Sequence, residues 1–285
     1  MIAYTLPDFT AALGLNLFFA RLAFERPDWM QPDVRIASMY GCFPGCKLNG
    51  GRSYVRERAT PQQMERTFAI LEEYGIVPRL TFTNMLATPA DLDDPYVRAI
   101  LDAAARHHGE AIVYSDAVGD AVRKRYGLPL VLSTTRALGT PAEVNEACER
   151  YDWVVLNYNH HKDPVFLGDL AHPERCEVMV NEFCVPGCPH RHQHYLQNSQ
   201  DQQSGAQRPF TCVAKKADFF AHEPGHPVMF TDGEARDLHE RFGISYFKIV
   251  GRGVPFATVL EALSYYLVRP EYRQDVKRQV AAQMR

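Results

Sequence analysis

Residues 60–83, Thr60-Pro-Gln-Gln-Met-Glu-Arg-Thr-Phe-Ala-Ile-Leu-Glu-Glu-Tyr-Gly-Ile-Val-Pro-Arg-Leu-Thr-Phe-Thr83, hold a helix and a strand in direct succession. Thr60 is a helix-capping type, and Pro61 suits the first helical position because its missing N–H has no partner to lose there. Gly75 ends the helix. Val77–Thr83 then alternates β-branched, aromatic and aliphatic residues in the manner of a strand. Thr140-Pro141 repeats the start signal and adds Glu143 in the first turn.

The same rhythm extends in both directions. Further strands are expected at Ile2–Leu6, Val34–Met39, Ala111–Tyr114, Leu130–Ser133, Trp153–Asn157, Glu177–Phe183 and Tyr246–Val250. Helical patterns cover Asp93–His107, Asp116–Tyr126 and Asp232–Phe242, with apolar helices at Phe9–Phe24 and Ala257–Leu267. Eight strands alternating with helices imply parallel pairing, and eight βα units suffice to close a (β/α)8 TIM-like barrel. An open doubly wound sheet is the alternative, but no G-x-G-x-x-G follows any strand. The expectation is one barrel domain over 1–285, with a cysteine-rich insertion at about 184–228.

Composition narrows the function classes. The 285 residues are 46% hydrophobic and carry 31 basic against 34 acidic side chains, a net of −3. That balance offers no surface for bulk nucleic-acid binding. The Phe9–Phe24 run is interrupted by Asn16 and Arg21, so it reads as a buried helix rather than a membrane span. A cytoplasmic location is expected. There, seven cysteines point to metal binding or catalysis rather than disulfides. Cys148 and Cys176 lie inside regular patterns and read as small buried hydrophobes.

Residues 184–228 break the rhythm, being polar, rich in His, Gln and Pro, and without clear periodicity. Long irregular segments in compact domains are commonly functional. This one contains Cys184-Val-Pro-Gly-Cys188 and, 24 residues on, Cys212. The Pro-Gly pair permits a sharp reversal that turns both sulfurs to one side. Cys42-Phe-Pro-Gly-Cys46 has the same form and offers a further ligand; Asn49-Gly-Gly-Arg52 follows it with backbone N–H groups and a guanidinium suited to an anion. Thiolates at such turns bind iron–sulfur clusters or zinc, and His190, His192 and His194 keep zinc open. The C-x3-C-x2-C spacing of radical-SAM centres is absent. At the C-terminal strand ends, where barrels place their active sites, stand Tyr40, Asn84, Asp116, Arg136, Asn157, Glu182, Lys248 and Arg252.

A strand ending in Glu182 that runs at once into a cysteine-bearing loop, with another cysteine downstream, resembles the peptidase U32 family of collagenase-like peptidases. The likeness spans about Val34 to Cys212. Despite the family's name, its well-understood members resemble iron–sulfur proteins that support oxygen-independent hydroxylation of RNA bases or quinone precursors. Four cysteines hold their [4Fe-4S] cluster. The resemblance matches Cys184, Cys188 and Cys212 to the later cysteines and Cys42 or Cys46 to an early one. This chain departs from the pattern in two ways. Val-Pro-Gly fills a gap that is wider and Ser/Gly-rich in the family, and the Cys188-Pro-His-Arg-His-Gln-His-Tyr195 run is additional.

Three functions follow as expectations. The first is an oxygen-sensitive iron–sulfur enzyme with the cluster as Lewis acid or redox centre. Glu182, His194, Tyr195 and Lys248 would be its catalytic groups. Asn49, Arg52, Asn84, Arg136, Asn157 and Arg191 would bind a small polar or anionic substrate, and an electron donor or partner subunit would complete the system. The second is a zinc-dependent hydrolase or peptidase, although H-E-x-x-H and G-x-S-x-G are both missing. The third is a non-catalytic accessory subunit with a metal-stapled docking loop.

Overall fold

A computed structural model describes residues 1–50, 57–210, 212 and 225–283. Eight parallel strands close a barrel in sequence order, with the eighth pairing back onto the first. They are β1 (Ile2–Pro7), β2 (Val34–Gly41), β3 (Val77–Phe82), β4 (Glu110–Val113), β5 (Leu130–Leu132), β6 (Trp153–Val155), β7 (Cys176–Met179) and β8 (Tyr246–Lys248). The helices are α1 (Leu13–Glu25), α2 (Pro61–Glu73), α3 (Pro95–Arg106), α4 (Asp116–Tyr126), α5 (Pro141–Arg150), α6 (Pro164–Gly168), α7 (Arg191–Ser204), α8 (Asp232–Phe242), α9 (Phe256–Leu267) and α10 (Arg273–Gln283). The expected TIM-like barrel is therefore the observed fold. No helix among the described residues is long and apolar enough to cross a membrane.

Local chemistry explains most element boundaries. Thr60, Thr140 and Thr231 each form a reciprocal capping box with the third helical residue, and Asp94 caps α3 through two backbone N–H groups. Gly127 closes α4 with φ +69°, a conformation other side chains resist. Asn16, the polar interruption in α1, is buried and donates to the carbonyl of Pro7 at 2.7 Å, tying the helix to the end of β1. The largest departure from the sequence pattern is α7, which lies within the segment expected to be irregular. Its buried residues are Asn198, Ser199 and Asp201 rather than apolar ones. Ser199 accepts from Met85 N, Asn84 donates to Ser199 O, and Gln202 donates to Cys46 O. A helix that docks by hydrogen bonds has no hydrophobic period to read. β7 and β8 are also shorter than expected, because the chain leaves the sheet after Met179 and Lys248.

Apolar packing fills the space between strands and helices, as in the Phe9–Phe43–Phe68 ring cluster and the Tyr4–Phe247 and Tyr4–Tyr266 contacts. The barrel interior differs, being crossed by ions. Arg79 of β3 donates to Glu177 of β7 at 2.7 Å and to Glu110 of β4 at 2.6 Å. Glu177 also accepts from Thr5 of β1, and Thr5 is 2.8 Å from Ser38 of β2. Burial works against the charge on Arg79, but Glu177 and Glu110 outweigh it and hold the guanidinium protonated. Removing the cation would leave Glu177, wholly buried, without its nearer ion partner, Lys248 being 3.8 Å away. Arg79→Met is expected to destabilise the fold by about 3–5 kcal/mol, the usual cost of orphaning one member of a buried pair. The midpoint of urea unfolding reads this, and a change within measurement error would show that the network contributes nothing.

Candidate functional site

Two neighbouring groups of residues occupy the C-terminal mouth of the barrel. The first is the cysteine loop. After β7, Val180 N donates to Lys248 O, and Asn181 exchanges two hydrogen bonds with Val250 through its side-chain amide. These bonds deliver Glu182 to the rim. Its Oε1 accepts Cys184 N at 3.0 Å and its Oε2 accepts Arg191 Nη2 at 2.8 Å. The Arg191 guanidinium also lies 4.1 Å from the Tyr158 ring and 5.1 Å from that of Tyr195. Tyr158 Oη donates to Val185 O, and Asn159 accepts Gly187 N. The loop is thus held at both ends and at its tip.

The three cysteines of this region are neighbours. Cys184 and Cys188 are in hydrogen-bonding contact, and Cys188 also feels the charge of Cys212. Burial, first, and these two thiols push Cys188 above the usual range. Among the described residues, no three His, Cys, Asp or Glu side chains already form a metal-binding group. The donor set suits an iron–sulfur cluster or zinc in kind, and coordination would require the loop to draw its sulfurs closer.

Cys42 and Cys46 form a separate pair. They are buried free thiols in hydrogen-bonding contact, and Cys42 is raised well above an ordinary thiol by burial and by Cys46. Gln202, which meets Cys46 O, lies eleven residues beyond Arg191, about 16 Å along α7 at 1.5 Å per residue. The structure does not bring this pair to the other three. Cys148 and Cys176 are likewise buried free thiols in hydrogen-bonding contact, in keeping with a packing role.

The second group lies just inside the barrel. Lys248 Nζ is 3.8 Å from Glu177 Oε2 and 4.0 Å from the centre of the Tyr40 ring. Arg252 lies 5.5 Å from that ring and donates to Asn49 Oδ1 at 3.1 Å and Thr81 Oγ1 at 2.8 Å. Burial pulls Lys248 down to about 8, Glu177 resists, and Arg79 and Arg252 add to the fall. Gly50, beside Asn49, leaves no room for a side chain, since a Cβ there would come within 2.3 Å of Thr83 Oγ1.

Several expected substrate-binding residues are occupied elsewhere. Arg136 pairs with Asp116 at 2.7 Å and with Tyr114 O. Asn157 accepts Asn159 N and donates to Leu138 O. Asn84 ties the rim to α7 and caps Leu86 N. Arg191 and Glu182 neutralise each other, so either one acting on a substrate would have to give up the pair. His194 stacks on Phe210 at 4.4 Å. Arg52 lies outside the described residues.

Sequence reasoning missed Glu177, Arg79 and His161. A charged residue inside a strand covered on both faces was the available signal for the first two. His161 gave none. It is buried, neither ring nitrogen has a hydrogen-bond partner among the described residues, and it packs edge-on to Phe230 at 4.8 Å. Burial, then Lys162, lowers it to about 3, so it is neutral behind the Glu182–Arg191 pair.

No family model matches the sequence, and a search of the curated proteins finds no match. Among solved structures, that of a U32 peptidase is similar, with a TM-score of 0.56 and 14% identity, over 90% of this chain and 94% of that one. The likeness is one of fold, and it agrees with the architecture that the sequence resemblance implied.

The depressed Lys248 makes a pH-dependent prediction. Between its folded value of about 8 and the ordinary 10.5, the unfolded chain holds a proton that the folded chain has released, so stability rises with pH across that window. Below it the buried cation costs about 3 kcal/mol. The stability of the wild type relative to Lys248→Met should therefore increase by about that amount from roughly pH 7 to pH 10.5. Urea unfolding at both ends tests this; a constant difference would mean that Lys248 titrates normally.

Proposed function

We propose that this chain is an iron–sulfur enzyme of the U32 type that acts on a small polar or anionic substrate at the barrel mouth. The observation that supports the reading is the loop carrying Cys184 and Cys188, with Cys212 near Cys188, at the same end of a TIM-like barrel as the buried Lys248 and the half-buried Arg252. Cys184, Cys188 and Cys212 would hold the metal. A cluster bound there supplies Lewis acidity or electrons. The rest is done by the chain's own side chains. Glu182 and Arg191 hold Cys184 and the loop backbone in place. Arg252 and Asn49 orient an anion at the rim, and Lys248 receives or returns a proton near neutral pH. Tyr195 packs on Arg191, which limits water on that side of the loop.

With its buried thiol pair at the C-terminal end of α7, the Cys42–Cys46 turn is left out of this ligand set. Three protein ligands leave one iron of a four-iron cluster open, which favours substrate chemistry over plain electron transfer. Anaerobic purification with iron and acid-labile sulfide analysis tests the reading. The expected result is iron and sulfide in near-stoichiometric amounts, retained in Cys42→Ser and lost in Cys188→Ser. Stoichiometric zinc with no iron would overturn it in favour of the zinc enzyme. Arg191→Ala should leave the fold intact but release the loop, read as a several-fold faster reaction of Cys184 with a thiol reagent in metal-free protein; an unchanged rate would show that the Glu182–Arg191 pair does not brace it.

A further inference from the structure

The cluster of groups beneath the mouth goes beyond the metal reading and does not depend on it. Three features meet there. Lys248 Nζ stands over the Tyr40 ring, within 3.8 Å of Glu177 Oε2. That carboxylate oxygen and Asn49 Nδ2 are fully buried and make no hydrogen bond among the described residues. Arg252 stands against the same Tyr40 ring as the lysine and is joined to Asn49 Oδ1. Buried polar atoms are ordinarily satisfied, so the Asn49 donor and the Glu177 oxygen, whose ion partner Lys248 stays 3.8 Å away, point to a polar ligand at the barrel mouth. The amide donor and the guanidinium fit a carboxylate, while the amine and Glu177 Oε2 fit a reacting carbonyl.

We propose that Lys248 forms a Schiff base with a 2-oxo acid whose carboxylate is held by Arg252 and Asn49. The amine lone pair adds to the carbonyl carbon, and the carbonyl oxygen takes up a proton. Glu177 accepts the two protons that Nζ sheds in turn, passing the first to the carbonyl oxygen and the second to the departing hydroxyl. The products are the imine and one water, and no electron changes hands. Adding to a carbonyl requires the neutral amine. A lysine near 8 holds roughly 300-fold more of that form at neutral pH than one at 10.5. The Arg79 guanidinium below, 2.7 Å from its other oxygen, holds Glu177 in place. Lys248 is thereby set apart from the exposed Lys47 and Lys124 by both reactivity and a carboxylate clamp.

The test is reductive trapping. Full-length protein, with and without its metal, is incubated with pyruvate and borohydride, then digested and mapped by mass. The expected result is a reduced adduct concentrated on Lys248, with at least ten-fold less on Lys124, in both preparations. Lys248→Arg keeps the charge and should abolish this adduct. Arg252→Gln should reduce trapping of pyruvate several-fold while leaving trapping of acetaldehyde, which has no carboxylate, unchanged. An adduct spread evenly over surface lysines, or none at Lys248, overturns the proposal. Pyruvate and acetaldehyde trapped equally well by the wild type overturn the carboxylate clamp. Because the metal-free arm reads the lysine alone, failure of the iron–sulfur reading is seen separately in the metal analysis.

Discussion

A single buried guanidinium holds the inside of this barrel together. Arg79 binds Glu110 on the neighbouring strand and Glu177 across the lumen, and Glu177 in turn meets Thr5 and Lys248. TIM barrels are ordinarily filled by layers of branched aliphatic side chains. Ions in that position bring a desolvation cost with no stability advantage over apolar packing. What they provide is an electrostatic environment. Because Arg79 satisfies one oxygen of Glu177, the other is left for Lys248, and because Lys248 is buried, with Arg79 and Arg252 adding to the effect, its proton is loosely held.

The two C-x-P-G-C turns show how burial separates chemistry that sequence makes alike. Both place glycine in the left-handed region, at Gly45 and Gly187, and both bring their cysteines together. In the first, Phe43 inserts among Phe9 and Phe68 and takes the thiols into the core, where the anion is disfavoured. In the second, Val185 has no such anchor. Glu182 and Asn159 accept from its backbone N–H groups and Tyr158 donates to its carbonyl, which holds the turn at the rim instead, with Cys188 near Cys212.

The legible parts of the sequence were those governed by local rules. Thr60, Thr140 and Thr231 cap their helices through neighbours three residues away, and α4 and α8 run over the residues that periodicity predicts. The cysteine loop was legible because its residues are contiguous. By contrast, α7 was hidden by the polarity of its buried face. Asn84, Arg136 and Asn157 looked available at their strand ends, and their partners (Ser199, Asp116 and Leu138) come from segments 19 or more residues away.

Taken alone, the sequence determined the alternation of strands and helices, hence the parallel barrel, and it determined which end of each strand bears polar groups. Those properties follow from capping, periodicity and turn chemistry over a few residues. Tertiary structure decided which polar groups are spent on holding the fold and which face open space. Closure of the ring sets β3 against β7 through its lumen and brings β8 beside β1, so that Arg79, Glu177 and Lys248 share one dry interior. Charge interactions inside a low-dielectric cavity depend on distances between residues nearly a hundred positions apart in the chain, and no local pattern encodes them.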